Sequence, residues 1–260
     1  MANYGVIDLG SNSVRLVIFD VKDDISKKKP ITCKDFRSII NDKVMAGLSA
    51  YVDAGEFTPE GIARAVDVLS GHLKRARYFN CVRTDIFATA VLRNCTNSRE
   101  AISAIEKAIG APVNLLSARD EAHLSFTGAS CDRTIEKSTV VDLGGGSTEL
   151  IRVEKGRDFD DVSIGQGSLS SYAGYVEFVM PQASEVEAIE RAFLERVAET
   201  PVDLRKYRAE TLYGVGGSAR AAAKLYAQMT GEPCRPRTLT PAHFDALLDL
   251  LESNPSKFAH

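Results

Sequence analysis

VIDLGSNSVRLVIF (Val6–Phe19) and VVDLGGGSTELIRV (Val140–Val153) are two versions of one pattern. Each runs from apolar residues into Asp-Leu-Gly, then small or polar residues, a serine and a hydrophobic strand. Asp8 aligns with Asp142, Gly10 with Gly144, Ser13 with Ser147 and Leu16 with Leu150. An internal repeat of this kind constrains the fold before any other reading does. It predicts two similar α/β domains with a cleft between them, residues 1–127 and 128–260.

Around each copy the pattern is strands first and helices later. Val6–Leu9 and Val14–Val21 read as a hairpin across the turn Gly10–Asn12. Lys22–Pro30 reads as a charged loop and Ile31–Ile40 as a third strand. Thr58-Pro59 supplies an N-cap hydroxyl and a first-turn proline to a helix with apolar residues at Ile62, Val66, Leu69 and Leu73. TDIFATAV (84–91) is β-type. Asn97 and Glu100 resemble a capping box, for a helix that ends at Gly110. APVNLLS (111–117) reads as another strand, and Ser117–Asp120 as the cap of a helix carrying Glu121. In the second half, helices are expected over Ser184–Glu199, after YGVGGS (213–218) and after Thr240-Pro241.

Of the 260 residues, 44% are apolar and 26% charged, enough to bury a full core. The formal charge of −3 carries no nucleic-acid footprint, yet leaves room for an anionic substrate held by local donors. No leader-like or membrane-length apolar run stands out, so a cytoplasmic protein without membrane partners is expected. The five cysteines are scattered, with no CxxC, which argues against a zinc site or disulfide framework and for small buried hydrophobes. The four histidines have no metal-ligand spacing, and no G-x-S-x-G elbow accompanies them.

Three turns look built for phosphate: Gly10, Ser11, Asn12 and Ser13; Gly144, Gly145, Gly146, Ser147 and Thr148; and Gly216, Gly217 and Ser218. Glycine lets backbone N–H groups approach an anion closely, and successive N–H groups form an anion-binding nest. The third turn also opens a helix. Taken singly, each turn reads first as a tight hairpin. GVGGSA matches the weak dinucleotide fingerprint, but not within a first βαβ unit. The shared Asp-Leu-Gly favours a pair of related phosphate turns.

Carboxylates stand beside these turns. Asp8, Asp142 and Glu149 suit Mg²⁺, which takes one or two carboxylates together with phosphate oxygens and water. Alternatively, each aspartate closes an Asx-type turn. Arg15 in the first copy aligns with Glu149 in the second, a cation against an anion. Glu121 suits either a helix dipole or catalysis.

With these residues the chain resembles the exopolyphosphatase / guanosine pentaphosphate phosphohydrolase (Ppx/GppA) family, within the actin-like ATPase superfold. DLGSNSVRL and DLGGGSTEL are similar to its signature turns. ATAVLRNCTN (88–97) places Arg93 on its cleft arginine, SARDEAHLSFTG (117–128) places Glu121 on its catalytic base, and YGVGGSAR resembles its third phosphate turn. The resemblance implies a duplicated actin-like (ribonuclease H-like) α/β fold, Mg²⁺ dependence and release of terminal phosphate from polyphosphate or guanosine pentaphosphate. Glu121 would deprotonate water with Glu149 assisting, and Arg15 and Arg93 would join the three turns in holding phosphate. A homodimer is among the assemblies expected.

The chain also departs from the family pattern. KVMAGLSAY (43–51) lacks the usual arginine, and Lys43 is the nearest cation. Ala118 and Asp120 replace a glycine and a glutamate. Serine stands near Ser170 where many relatives have arginine. The sequence stops at SNPSKFAH where relatives continue, which suggests a shortened second domain. Two other functions fit the same turns: an ATPase or kinase of this superfold, and a non-catalytic sensor of polyphosphate or an alarmone.

Overall fold

A computed structural model describes residues 2–22, 32–231 and 238–254. It divides into two compact units, Met1–Thr134 and Ile135–His260. In the first, β1 (Ala2–Leu9) and β2 (Ser13–Val21) form the expected antiparallel hairpin, with Leu9 opposite Val14 and Asp8 opposite Arg15. Ile7, Leu9, Val14, Leu16 and Ile18 are fully buried, the period of two that a half-covered strand requires. β3 (Phe36–Met45) adds antiparallel to β2. It lies later in the chain than Ile31–Ile40, because residues 32–35 form a turn in which the Asp35 carboxylate accepts from Thr32 N at 2.9 Å and Oγ1 at 2.8 Å. The loop expected over Lys22–Pro30 falls outside the described residues after Lys22.

Helix α1 (Pro59–Tyr78) starts as the sequence indicates, with Thr58 Oγ1 accepting from Gly61 N at 3.2 Å. It lays Ala65, Leu69 and Ala76 on the sheet. The chain returns as β6 (Cys81–Ala88), parallel to β1, and two-residue strands β4 (Val52–Asp53) and β5 (Glu56–Phe57) pair separately. The β-type run 84–91 stops at Ala88, and Ala90–Arg93 forms the short helix α2. Helix α3 (Ser98–Ile109) ends at Gly110 with φ +68°, but Asn97 does not cap it. Its side-chain amide instead accepts from Phe57 N at 2.9 Å and donates to Phe57 O at 3.0 Å, since this tertiary partner satisfies both of its ends. Of the strand expected over 111–117, only Asn114–Leu115 pairs, as β7 on β6. Helix α4 (Ala118–Ser130) is capped by Ser117, whose Oγ accepts from Asp120 N at 3.1 Å. The sheet order is β3-β2-β1-β6-β7.

One expectation about the cysteines is overturned. Cys33 and Cys131, 98 residues apart in sequence, form a disulfide with Cα atoms 5.7 Å apart. A separation that long carries no local motif, so spacing could not disclose it. Cys95 is buried and Cys81 half-buried, as small hydrophobes would be, and Cys234 lies outside the described residues.

The second unit repeats the plan. β8 (Lys137–Leu143), β9 (Thr148–Glu154) and β10 (Arg157–Ile164) form an antiparallel meander, and β11 (Leu212–Val215) lies parallel to β8. The order β10-β9-β8-β11 matches β3-β2-β1-β6. Helices α6 (Ala183–Glu199), α7 (Gly216–Thr230) and α8 (Pro241–Ser253) fall where expected. Helix α5 (Ser168–Tyr175) was not legible, because it buries no residue and so has no apolar period.

His72 lies buried on α1, with Nε2 3.3 Å from Val14 O and Nδ1 3.4 Å from Asp42 Oδ2, an oxygen that Arg75 also engages. Burial pulls its pKa below 6.5, and the Val14 bond only partly opposes this. The folded state therefore binds this proton less readily than the unfolded chain, so stability falls as pH drops below 6.5 toward the native pKa. Urea midpoints at about pH 7 and about pH 5.5 should differ less in His72→Gln than in the parent protein.

Candidate active site

In the first unit, three parallel strands end side by side. Leu9 of β1 registers with Ala88 of β6, and Ala88 with Leu115 of β7. Beyond these ends lie the turn Gly10–Ser13, helix α2 with Arg93 in its last position, and the first turn of α4 with Glu121. Ligands of open α/β sheets bind beyond the carboxyl ends of the strands. Leu116 N donates to Ala88 O at 2.9 Å, which ties the approach to α4 to the end of β6.

Arg93 Nη1 donates to Glu121 Oε2 at 2.7 Å and to Leu116 O at 3.1 Å. Their side chains remain 17% and 20% exposed, so the pair is screened from bulk water yet reachable. A charge-assisted bond of this length fixes both rotamers. Glu121 is thus held by a cation and not left as a simple partner of the helix dipole.

The first turn is closed by Gly10 N to Ser13 O at 3.2 Å. The Asn12 carbonyl accepts from Ala46 N at 2.9 Å and Gly47 N at 2.8 Å, and Ser11 O accepts from Ser49 N at 2.9 Å. These donors belong to the segment that leaves β3. Arg15 sits on β2 between Asp8 and Lys43 in register. Asp8 is exposed, so its carboxylate is accessible.

In the second unit, Gly144 N donates to Ser147 O at 3.0 Å, the same closing bond at the aligned positions. Asp142 and Glu149 are direct cross-strand partners, and Ser163 on β10 is the next partner of Glu149. Ser163 Oγ donates to Glu149 Oε1 at 2.9 Å, and Glu149 is only 2% exposed. Sequence reading missed Ser163, because nothing in the order of residues marks a cross-strand neighbour. Ser147 is buried, and Thr148 turns inward, its Oγ1 donating to Gln166 O at 2.7 Å.

The third turn meets the second. Val215 registers with Asp142, and Gly216 follows directly at the start of α7, with Gly217 exposed and Ser218 half-buried. Gly216 has φ +91°, and a Cβ there would lie 3.1 Å from both Asp142 Oδ1 and Leu143 O. The unit therefore gathers Asp142, Glu149, Gly144–Ser147 and Gly216–Ser218 at one end of its sheet.

Two copies of one α/β plan, each with a glycine turn after its first strand, define the class of fold. Comparison with known proteins makes the class specific: the chain belongs to the Ppx/GppA phosphatase family, whose model matches residues 24–257. It is 26% identical to Exopolyphosphatase 2 of Mycobacterium tuberculosis over 88% of this chain and 72% of that protein. A crystal structure of an exopolyphosphatase from Cytophaga hutchinsonii superposes with TM-score 0.79 at 23% identity, covering 96% of this chain and 79% of that one. The Aquifex aeolicus Ppx/GppA family member gives TM-score 0.72 at 22% identity, covering 98% and 80%. The fold is the duplicated α/β architecture of these Ppx/GppA structures.

Gly216→Ala should destabilise the protein by about 1–3 kcal/mol, the cost of holding a side chain at strained backbone angles. Urea unfolding measures it, and an unchanged midpoint would show that φ +91° at position 216 imposes no such strain.

Proposed function

We propose that the chain is an exopolyphosphatase that hydrolyses the terminal phosphoanhydride of inorganic polyphosphate. The observation that carries this reading is the Arg93–Glu121 pair, 2.7 Å across, beside the end of β6. Family membership makes the enzyme a hydrolase of phosphoanhydride bonds, and that pair supplies a base for water at such a bond.

The geometry of each unit supports the following roles in this reading. Water attacks the terminal phosphorus, and the bridging P–O bond breaks. Glu121 accepts the water proton on Oε1, while Arg93 engages Oε2 and keeps the carboxylate aimed. The shortened polyphosphate leaves on its own oxygen, which needs no strong acid. Within each unit, backbone N–H groups of its own glycine turns hold non-bridging oxygens, with the hydroxyls of Ser11 and Ser13 in the first and of Ser218 in the second. Arg15 adds positive charge in the first unit.

A divalent cation fits the donor chemistry. Among the described residues no group of three or more His, Cys, Asp or Glu side chains gathers. That suits magnesium, which relies on one or two carboxylates, substrate phosphates and water. The first unit offers Asp8 to such an ion and the second offers Asp142, with buried Glu149 as its cross-strand partner. When bound, the ion neutralises phosphate charge.

Guanosine pentaphosphate presents the same terminal group and is the alternative substrate, and dimerisation is compatible with either. No helix among the described residues is long and apolar enough to cross a membrane. A cytoplasmic location suits both substrates.

The test is Mg²⁺-dependent phosphate release from long-chain polyphosphate, guanosine pentaphosphate and ATP in parallel. Release from polyphosphate should fall by about 10²–10⁴ in Glu121→Gln, with binding retained. Release from guanosine pentaphosphate alone would reassign the substrate, and release from ATP alone would favour an ATPase. Tight binding without release from any of the three would sink the enzyme reading and leave a sensor.

A further inference from the structure

Helix α5 begins on top of the second glycine turn. Ser168 N donates to Gly144 O at 2.9 Å, and Leu169 N and Ser170 N both donate to Gly145 O at 2.9 Å. Ser168 Oγ also donates to Gly144 O, at 3.1 Å. The amides that a free helix N-terminus would present to an anion are therefore occupied by protein carbonyls.

The approach is close enough to exclude a side chain. A Cβ on Gly167 would lie 2.6 Å from Gly144 O, 2.6 Å from Gly145 C and 2.7 Å from Ser147 N. Gly167 has φ −131° and ψ −175°, extended angles open to any residue. Glycine is needed here for space alone. Gln166, 3% exposed, anchors the segment from the other side. Its amide donates to Ser171 Oγ at 3.0 Å and accepts from Arg196 Nε at 3.2 Å, while its carbonyl takes the Thr148 hydroxyl.

The first unit does the same with different parts. There the Asn12 carbonyl is held by Ala46 and Gly47, just after β3, and the Ser11 carbonyl by Ser49 on the 3-10 turn that follows. Two segments of unlike sequence, each following the third strand of its unit, bind the carbonyls of the aligned turns. A peptide whose carbonyl is held on one side presents its N–H on the other. We propose that Gly167 and Ser168 are positioning residues for the second phosphate turn: they fix the Gly144 and Gly145 carbonyls so that the N–H groups that follow face the polyphosphate chain. This rests on the exopolyphosphatase reading.

The test uses Gly167→Ala, with Gly174→Ala as control, because a Cβ at Gly174 meets nothing within 4 Å on the same helix. A second variant, Ser168→Pro, removes both donors to Gly144 O. Proline suits the first helical position, and Gly167 already has the extended angles favoured before it. Gly167→Ala and Ser168→Pro should each raise KM for polyphosphate about tenfold with kcat nearly unchanged, as expected when ground and transition states lose the same contacts. In a Glu121→Gln background, tripolyphosphate affinity by calorimetry should fall by the same factor. Ser168→Ala, which loses only the hydroxyl bond, should shift both by a few-fold. Gly174→Ala should leave both unchanged.

A folded Gly167→Ala or Ser168→Pro with parental KM and affinity would overturn the proposal, and so would a fall in kcat at constant KM. If Gly167→Ala reduces the folded fraction by circular dichroism, Ser168→Pro and Ser168→Ala decide. A parent protein that neither hydrolyses polyphosphate nor binds tripolyphosphate would instead refute the functional reading itself.

Discussion

A turn presents its N–H groups to phosphate most firmly when its carbonyl oxygens are held elsewhere, because the C=O and N–H of one peptide point in opposite directions. Carbonyls free to swing would put negative charge against the anion. In each unit the turn is closed by one backbone bond, Gly10 N to Ser13 O or Gly144 N to Ser147 O, and the carbonyls within it are held by the segment leaving the third strand. The rest of each unit can be read as support for that arrangement. The three-strand meander exists in both copies, and it brings the end of its third strand back beside the turn between its first two.

The sheet order adds the chemistry. A strand parallel to the first must be reached by a crossover, and α1 provides it in the first unit. The crossover brings the end of β6 beside the end of β1, so Arg93 arrives near the first turn without a long loop. β7 then brings Glu121 alongside, and the Arg93–Glu121 bond aligns the two side chains. In the second unit the same crossover position delivers Gly216 to Asp142. One topological step places a charged pair in one copy and a third glycine turn in the other.

Much of this was legible in the sequence. The hairpins announced themselves through alternation and Asp-Leu-Gly, and α1 and α4 through Thr58 and Ser117. What escaped depends on distant partners. Asn97 has the spacing of a cap, but Phe57, 40 residues away in sequence, takes its amide. Helix α5 has no apolar period because its stability comes from bonds to the Gly144 and Gly145 carbonyls. Cys33 and Cys131 have no motif between them, and Ser163 is recognisable only across a sheet. Thr148 looks like a donor to phosphate in sequence, yet its hydroxyl serves Gln166, because it stands one residue into a strand whose side chains alternate.

The two copies differ where their charges line up. Across the first sheet the row runs Asp8, Arg15, Lys43; across the second it runs Asp142, Glu149, Ser163. Directly opposed side chains in a sheet interact, and like charges there are unfavourable unless something intervenes. The first row balances one carboxylate with two cations and leaves net positive charge beside its turn. The second sets two carboxylates side by side, one of them buried, with a hydroxyl on the far side. The two copies thus set opposite net charge beside turns of the same form. A duplicated phosphate turn need not have duplicated its role.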